Sequence, residues 1–576
     1  MSKESSKLKS LRTWSLKFPR SAPAIILVGI AGAACAVLFH HTISAIHHLI
    51  WKPLCTGSAE NFILVGFFIF LAVGLLNGFL VGSFAPEAAG SGIPQLKVAY
   101  RRDRGSVSFR TVWVKFLAAA ASVGGGLSLG REGPTVQLAG GMASVIGKRF
   151  GLSSFRRRTL TACGAAAGLA AAFNAPIAAV TFVLEEIIED LNSRTIGPIL
   201  LASFVSVITL FILQGSEAVF IIPTITEFHA WIYLAAIPVG AVAALAGVGF
   251  QKTTLSWMAH IRKNSQLPLW LRPLIGALIN WVSASLVFYF IARTGVLGLG
   301  YADLTDCLAG NLTLTALLIL FFAKWIATSS AYAWGNSGGI FAPTLFLGAM
   351  IGGICSQGLG LIFNLDPDSI RLLTIVGMSA CLGAVVRAPI TSILIVFEMT
   401  HDFALVPPLM LAALISQAIS RSLCQDNFYS QALKEMGIHL ETNISMRTLA
   451  SWRNRRISSF ANFDPACVRQ WEPESVQQLL DRGQHRIFPV LNDQEKAQGL
   501  VMRAELEEFI SSYKKPTPTP TITVRPDIRM AEVEDILETS PLNTVFLTTE
   551  SGKFLGLFTH TDVTRSQDKE KEIEES

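Results

Sequence analysis

Leu129-Gly130-Arg131-Glu132-Gly133-Pro134 lies inside an apolar, glycine-rich run that begins near Val112, and it carries an arginine and a glutamate where hydrocarbon would accept neither. An ionisable side chain at the centre of a bilayer costs about 2.5 to 3.5 kcal/mol on insertion scales, so it normally faces protein or a watery path. The flanking glycines, with Pro134 just inside the segment that follows, read as a helix start. Glu132 is therefore a candidate functional residue; the bland alternative is a reentrant loop end or a buried ion pair. The rest of the sequence can be read as what surrounds it.

The chain has 576 residues, more than one core usually organises. Hydrophobic residues make up 51% and charged residues 15%, a balance no water-facing surface could supply. The chain reads as a polytopic protein of a lipid bilayer. Charge is sparse from about residue 22 to 430 and dense from about 433, so a membrane domain is followed by a soluble one. The net charge is only +6, but basic residues gather in segment 1–21 (Lys3, Lys7, Lys9, Arg12, Lys17, Arg20), at Arg101, Arg102 and Arg104, and at Arg156 to Arg158. The positive-inside rule puts these segments, and both termini, in the cytoplasm. No basic face with interleaved aromatics is present, so no nucleic-acid partner is expected. The run Ala22 to Leu38 has the basic leader and Ala-rich middle of a signal peptide; with many spans after it, it is read as an uncleaved first helix.

Eight cysteines stand singly with no CxxC pair, which argues against a zinc site and against a disulfide framework. His40, His41, His47 and His48 include no i, i+4 pair and are expected to mark a helix end at the membrane interface; no metal is expected. Without a nucleophile/base pair either, an enzyme is not expected.

Several apolar segments are broken by Gly and Pro into pieces too short to span. Such pieces are tolerated in a membrane only where their ends are buried in protein or line a cavity. An internal repeat organises them. Gly130 to Leu138 matches Gly339 to Leu347 as GxxxPTxxL, an offset of 339 minus 130, or 209. Ala175-Pro176-Ile177 with Glu185 matches Ala388-Pro389-Ile390 with Glu398, nine residues from proline to glutamate both times. The membrane domain, 22–432, thus divides into related halves, about 22–222 and 223–432. Transporters of this design place substrate between the halves, at the ends of discontinuous helices; whether the halves are inverted depends on the number of crossings.

Gly90-Ser91-Gly92-Ile93-Pro94 begins another segment. Ser91 is a good N-cap candidate, yet unpaired amides, a helix dipole and a hydroxyl also make an anion site. With the starts at Gly130 and Gly339, three helix N-termini could converge on a small, singly charged anion.

GSGIP (90–94), GREGP (130–134) and GGIFAP (338–343), in that order, resemble the CLC family of chloride channels and chloride/proton exchangers. The similarity extends through GAAAGLAAAFNAPIAAVTFVLEE (164–186), Val386 to Glu398 and Asn427-Phe428-Tyr429-Ser430, about residues 60–432 in all. It implies an all-α membrane domain of two inverted-repeat halves with broken helices, working as a homodimer. It further implies that Ser91 and Tyr429 donate hydroxyls to chloride, joined by the amides of Ile340 and Phe341. Glu132 would be the external gate and Glu186 the internal proton acceptor. Since channels of the family generally lack an acid at the position of Glu186, the resemblance implies an antiporter in a bacterial inner membrane; a passive voltage- or pH-gated chloride channel is the alternative. Gln95 stands where the family frequently has glutamate, which puts the proton route in question. Ser91, where nitrate-selective relatives have proline, favours chloride, and GREGP with Phe341 argues against the fluoride-selective branch.

Beyond 433–457, expected to be a linker, two α/β patterns repeat at an offset of 57, Gly499 to Gly556 and Glu505 to Asp562. They resemble tandem cystathionine-β-synthase (CBS) modules at 458–512 and 522–567, joined by a Pro/Thr linker at 513–521 and followed by a charged tail at 568–576. Thr559 and Asp562 resemble the threonine and ribose-binding aspartate of nucleotide-binding modules, so adenine nucleotide is a candidate ligand; no other cofactor is expected. A membrane-anchored nucleotide sensor is the reading from a different class, but an anchor has no need of three broken helices.

Overall fold

The chain divides into two units, Met1–Leu440 and Glu441–Ser576, and the described residues of the first form two consecutive sets of eight helices followed by a short one. The computed structural model describes residues 22–191, 195–215, 232–363, 365–440, 455–481, 483, 485–559 and 561–562. The expected basic N-terminus (1–21), the charged tail (568–576) and most of the expected linker (441–454) lie outside them.

The first set is α1 (Ala22–Cys55), α2 (Ala59–Ser83), α3 (Ile93–Arg101), α4 (Phe109–Gly124), α5 (Glu132–Arg149), α6 (Ser154–Phe173), α7 (Pro176–Phe182) and α8 (Ile196–Gln214). The second is α9 (Ile232–Asn264), α10 (Arg272–Ile291), α11 (Tyr301–Leu308), α12 (Leu314–Ala333), α13 (Phe341–Phe363), α14 (Pro367–Val386), α15 (Pro389–Thr400) and α16 (Val406–Leu423). Helix α17 (Phe428–Glu435) closes the unit. Among the described residues nine helical stretches are long and apolar enough to cross a membrane, and the chain is an integral membrane protein. Helices α3, α7, α11 and α15 have nine, seven, eight and twelve residues. At 1.5 Å per residue even the longest reaches only about 18 Å of a roughly 30 Å core.

The two sets match in their local chemistry. Ser108 and Thr313 cap α4 and α12 with their hydroxyls. Asn174 (φ 52) and Arg387 (φ 59) close α6 and α14 in the left-handed conformation, and Pro176 and Pro389 open the next helices two residues later. Lys115 donates to the carbonyls of Ala88 (3.0 Å) and Gly90 (2.6 Å), Lys324 to those of Gly295 (2.9 Å) and Gly298 (2.8 Å), and both lysines are fully buried.

Contacts between the halves are reciprocal. Gly130 and Gly339 exchange both backbone hydrogen bonds (2.6 and 2.7 Å) in an antiparallel bridge. The Glu398 carboxylate accepts from the amides of Ile177 (3.0 Å) and Ala178 (2.7 Å) at the start of α7. In return Glu185 accepts from those of Ile390 (3.1 Å) and Thr391 (2.9 Å) at the start of α15. Asn77 of α2 takes the amide of Ser337 (3.0 Å), while Asn280 of α10 takes that of Ser128 (2.9 Å). A contact i to j matched by its counterpart j to i is the signature of a two-fold relation. The halves are therefore an inverted repeat about an axis near Gly130 and Gly339.

In the second unit, β1 (Ile487–Leu491) pairs antiparallel with β2 (Ala497–Met502), flanked by α18 (Pro473–Asp481) and α19 (Arg503–Ser512). The second module has β3 (Thr523–Val524) parallel to β4 (Thr544–Thr548), which is antiparallel to β5 (Phe554–Thr559), with α20 (Met530–Thr539). Both hairpins shift register at equivalent places, Val490/Leu491 and Leu547/Thr548, so the 57-residue repeat extends to the bulge. The modules exchange edges: Asn462 pairs with Leu557, and Thr519 of the Pro/Thr segment with Leu500. The Lys553 ammonium, 2.6 Å from Glu495, holds that exposed carboxyl below its usual range. Whatever this surface pair adds is present at neutral pH and is lost as pH falls through the carboxylate range.

Lys324→Met strips the Gly295 and Gly298 carbonyls of the donor they share, whereas in Lys115→Met the Ser337 hydroxyl still serves Ala88 O and the Gly338 amide still serves Gly90 O. At about 1 to 3 kcal/mol for each group left unpaired, Lys324→Met should melt well below the wild type in detergent and Lys115→Met should fall less. An unchanged melting temperature would show the lysines to be dispensable for the scaffold.

Candidate anion and proton site

Hydrogen bonds between loops draw three helix starts together. The Gly338 amide donates to Gly90 O (2.9 Å) and the Gly90 amide to Asn336 O (3.1 Å), tying the start of α3 to that of α13. The Gly130/Gly339 bridge ties α13 to α5. Gly133 closes the triangle: a Cβ there would stand 2.3 Å from Ser91 Oγ and 2.8 Å from its carbonyl, so no larger residue lets α3 and α5 approach this closely.

Ser91 is not the N-cap that its position suggested. Gly92, in the left-handed conformation (φ 92), occupies that place, and no side chain caps α3. The Ser91 hydroxyl is fully buried and finds no partner among the described residues. The same holds for the hydroxyls of Tyr429, the second residue of α17, and Tyr332, near the end of α12. Tyr429 lies beside both Ser91 and Tyr332. Buried donors are almost always paired, so three together mark a place built for an acceptor. Ile340 and Phe341, both wholly buried, lead into α13, whose first amides have no intrahelical acceptor. The Phe341 ring packs on Phe173 and Phe182, with centroids at 5.2 and 6.0 Å.

Glu132 is the first residue of α5 and is fully buried. One carboxylate oxygen accepts from the Tyr301 hydroxyl at 2.9 Å; the other has no partner among the described residues. Neighbouring Arg131 donates to Ala172 O and touches His40 Nδ1. The histidines thus do not mark a helix end: α1 runs on to Cys55, and His40 packs inward from its middle.

Glu186 sits in a π-helical turn, Val183–Ile188, that continues α7; such turns occur frequently at functional sites. It is 1% exposed. One oxygen accepts from Lys97 Nζ at 2.9 Å, the other from Asn427 Nδ2 at 2.5 Å, and Lys97 also donates to Ser430 Oγ at 2.9 Å. Gln95 lies on the same short helix and lines a cavity of about 350 Å³ with Gly90, Tyr332, Met436 and the guanidinium-bearing Arg262 and Arg272.

Residues 71–421 match the family model described as voltage gated chloride channel. The chain belongs to the CLC family. Residues 516–569 match the CBS domain. The chain is 33% identical to the H(+)/Cl(-) exchange transporter ClcA of Vibrio campbellii, over 72% of this chain and 90% of that protein. It is 30% identical to ClcA of Salmonella typhi, over 71% and 86%. Among solved structures it is similar to a slow cyanobacterial Cl-/H+ antiporter (TM-score 0.64, 25% identity, 73% of this chain and 98% of that one). A eukaryotic CLC transporter shares the fold over 94% of this chain and 97% of its own (TM-score 0.62, 20% identity).

In this CLC protein, the sequence singled out Ser91, Glu132, Glu186, Ile340, Phe341 and Tyr429 as candidates, and the structure brings Ser91, Glu132, Tyr429 and the start of α13 to one convergence. It missed Lys97, Tyr301, Tyr332 and Asn427. Lys97 had a signal, a cation in mid-helix between the apolar Leu96 and Val98; the two tyrosines had none, since buried tyrosines are usually core. In the tail, both the amide and the hydroxyl of Thr559 donate to Asp562 (2.9 and 2.8 Å), and the Met502 amide donates to Glu505 (2.6 Å). Both acids thus do the reach-back of a capping box.

Because the Ser91 and Tyr429 hydroxyls find no hydrogen-bond partner at normal geometry among the described residues, Ser91→Ala and Tyr429→Phe are expected to keep or slightly raise the melting temperature in a buffer whose only anion is too large to enter. A drop of several degrees for both would mean that the hydroxyls are structural.

Proposed function

We propose that this protein is a secondary active transporter exchanging chloride for protons. The observation that carries the reading is a pair of buried carboxylates, Glu132 at the start of α5 and Glu186 on the π turn, both near Tyr429 in a cluster of buried hydroxyls with no partner among the described residues. Chloride enters through the cavity past Arg262 and Arg272, exchanges water for the hydroxyls of Ser91 and Tyr429, and receives the amides of Ile340 and Phe341. These donors are neutral, which lets a small anion bind without being trapped. Lys115 spends its donors on carbonyls behind α3 and supplies positive potential at one remove.

The Glu132 carboxylate is itself an anion at a helix start, so it competes with chloride for the same kind of donor. Protonation removes its charge and its claim on the site. Each departure of Glu132 therefore carries a proton, and Glu186 supplies or takes that proton from the opposite face. The basic loop around Arg101 to Arg104 assigns that face to the cytoplasm, with both termini there; bacterial relatives favour an inner membrane. The homodimer of this reading comes from the family resemblance; Ile177 and Ile390, half exposed at the starts of helices too short to span, support it, since such helices need protein rather than lipid beside them. Adenine nucleotide is the ligand this reading gives the CBS-matching tail, with Thr559 and Asp562 as its contacts beside their helix-capping bonds.

In liposomes, a chloride gradient should drive protons uphill; chloride flux with no proton movement would promote the passive channel instead. Glu132→Gln should still pass chloride while proton coupling disappears. Coupling retained in that variant would remove Glu132 from its role.

A further inference from the structure

Glu186 is buried, so a proton reaches it only from a neighbour. Adjacent Glu185 is committed elsewhere, since its oxygens take the amides of Ile390 and Thr391 and the Thr391 hydroxyl at 2.7 Å. Glu189 is placed differently. It ends the π turn in the left-handed conformation (φ 58), and both of its oxygens reach α3. One lies 2.5 Å from Lys97 Nζ, and the other touches the Arg101 guanidinium one turn further on. Lys97 therefore bridges two carboxylates, Glu189 at 2.5 Å and Glu186 at 2.9 Å. The side chains form a gradient of access, 26% exposed for Glu189 against 2% for Glu186 and 1% for Lys97. Asn427 and Ser430 of the α17 start close the cluster from the other side. Asp190 follows Glu189 in the chain, and Arg158 of α6 covers Tyr100 beside Arg101. Two carboxylates and two cations leave the bridged core neutral before a proton arrives.

We propose that Glu189 is the proton-loading residue of the exchange cycle and that Lys97 relays its proton to Glu186. This rests on the exchange reading above. Water on the Arg101 face protonates the Glu189 carboxylate. The Lys97 ammonium gives a proton to Glu186 and takes one from Glu189, so lysine ends as it began. Glu189 is again a carboxylate paired with Lys97, and Glu186 is a neutral acid free to pass its proton toward the anion site. The reverse order serves the opposite direction of exchange.

The experiment is chloride-driven proton transport in liposomes by the full chain and Glu189→Gln. The variant should exchange at least about 100-fold more slowly, the low end for a positioned proton-transfer group. Raising proton concentration on the Arg101 face should partly restore it, and Glu189→Asp, which keeps the carboxylate, should recover most of the rate. Added to Glu132→Gln, whose chloride flux needs no proton, Glu189→Gln should leave that flux as it was. Wild-type exchange by Glu189→Gln, or an equal loss of chloride flux in the Glu132→Gln background, overturns the relay. Absence of proton movement in the wild type overturns the exchange reading and the relay with it, whereas wild-type coupling with an unaffected Glu189→Gln overturns the relay alone.

Discussion

A backbone amide or carbonyl inside a bilayer has no water to turn to, and leaving one unpaired costs several kcal/mol. A chain that breaks its helices in the membrane creates such groups at every break. Here each half satisfies the breaks of the other: Glu398 serves the start of α7, Glu185 that of α15, Asn77 and Asn280 the loops before α13 and α5. Lys115 and Lys324 do the same within their own halves. The polar residues scattered through the apolar sequence are mostly this accounting, and what they hold open is a set of helix starts aimed inward.

The scaffold is symmetric, but its chemistry is not. Glu132 and Phe341 are each the first residue of their helix, and only one of them titrates. The loops Gly90-Ser91-Gly92-Ile93 and Gly298-Leu299-Gly300-Tyr301 share left-handed glycines at both positions. In one, the residue between the glycines carries a hydroxyl; in the other, the hydroxyl sits after them and holds Glu132. A two-fold frame thus yields two different faces by substituting a few side chains, as directional exchange requires.

Much of this was legible beforehand, because repeats and helix starts are local patterns. The offsets of 209 and 57 survive into three dimensions down to a bridge and a bulge. The roles of Lys97 and Tyr301 were not legible, since each depends on a partner 89 or 169 positions away. Ser91 carried two readings for a local reason: its context also fits a cap, and only the positive φ of Gly92 moves the cap one residue on and frees the hydroxyl. Glu185 and Glu186 are adjacent and alike, yet one closes a helix in the opposite half and the other meets Lys97. Neighbours in sequence are separated by the π turn into structural and chemical duty.

The exchanged carboxylates also bear on how the chain is made. The amides at Ile177 and Ala178 wait for Glu398, which is 221 and 220 residues further on. At about 5 to 20 residues per second of synthesis, that interval is roughly 10 to 45 s. Until it ends, the start of α7 has to be kept from lipid by water or by the insertion machinery, so the first half enters the bilayer unfinished and is completed by the last helices to emerge.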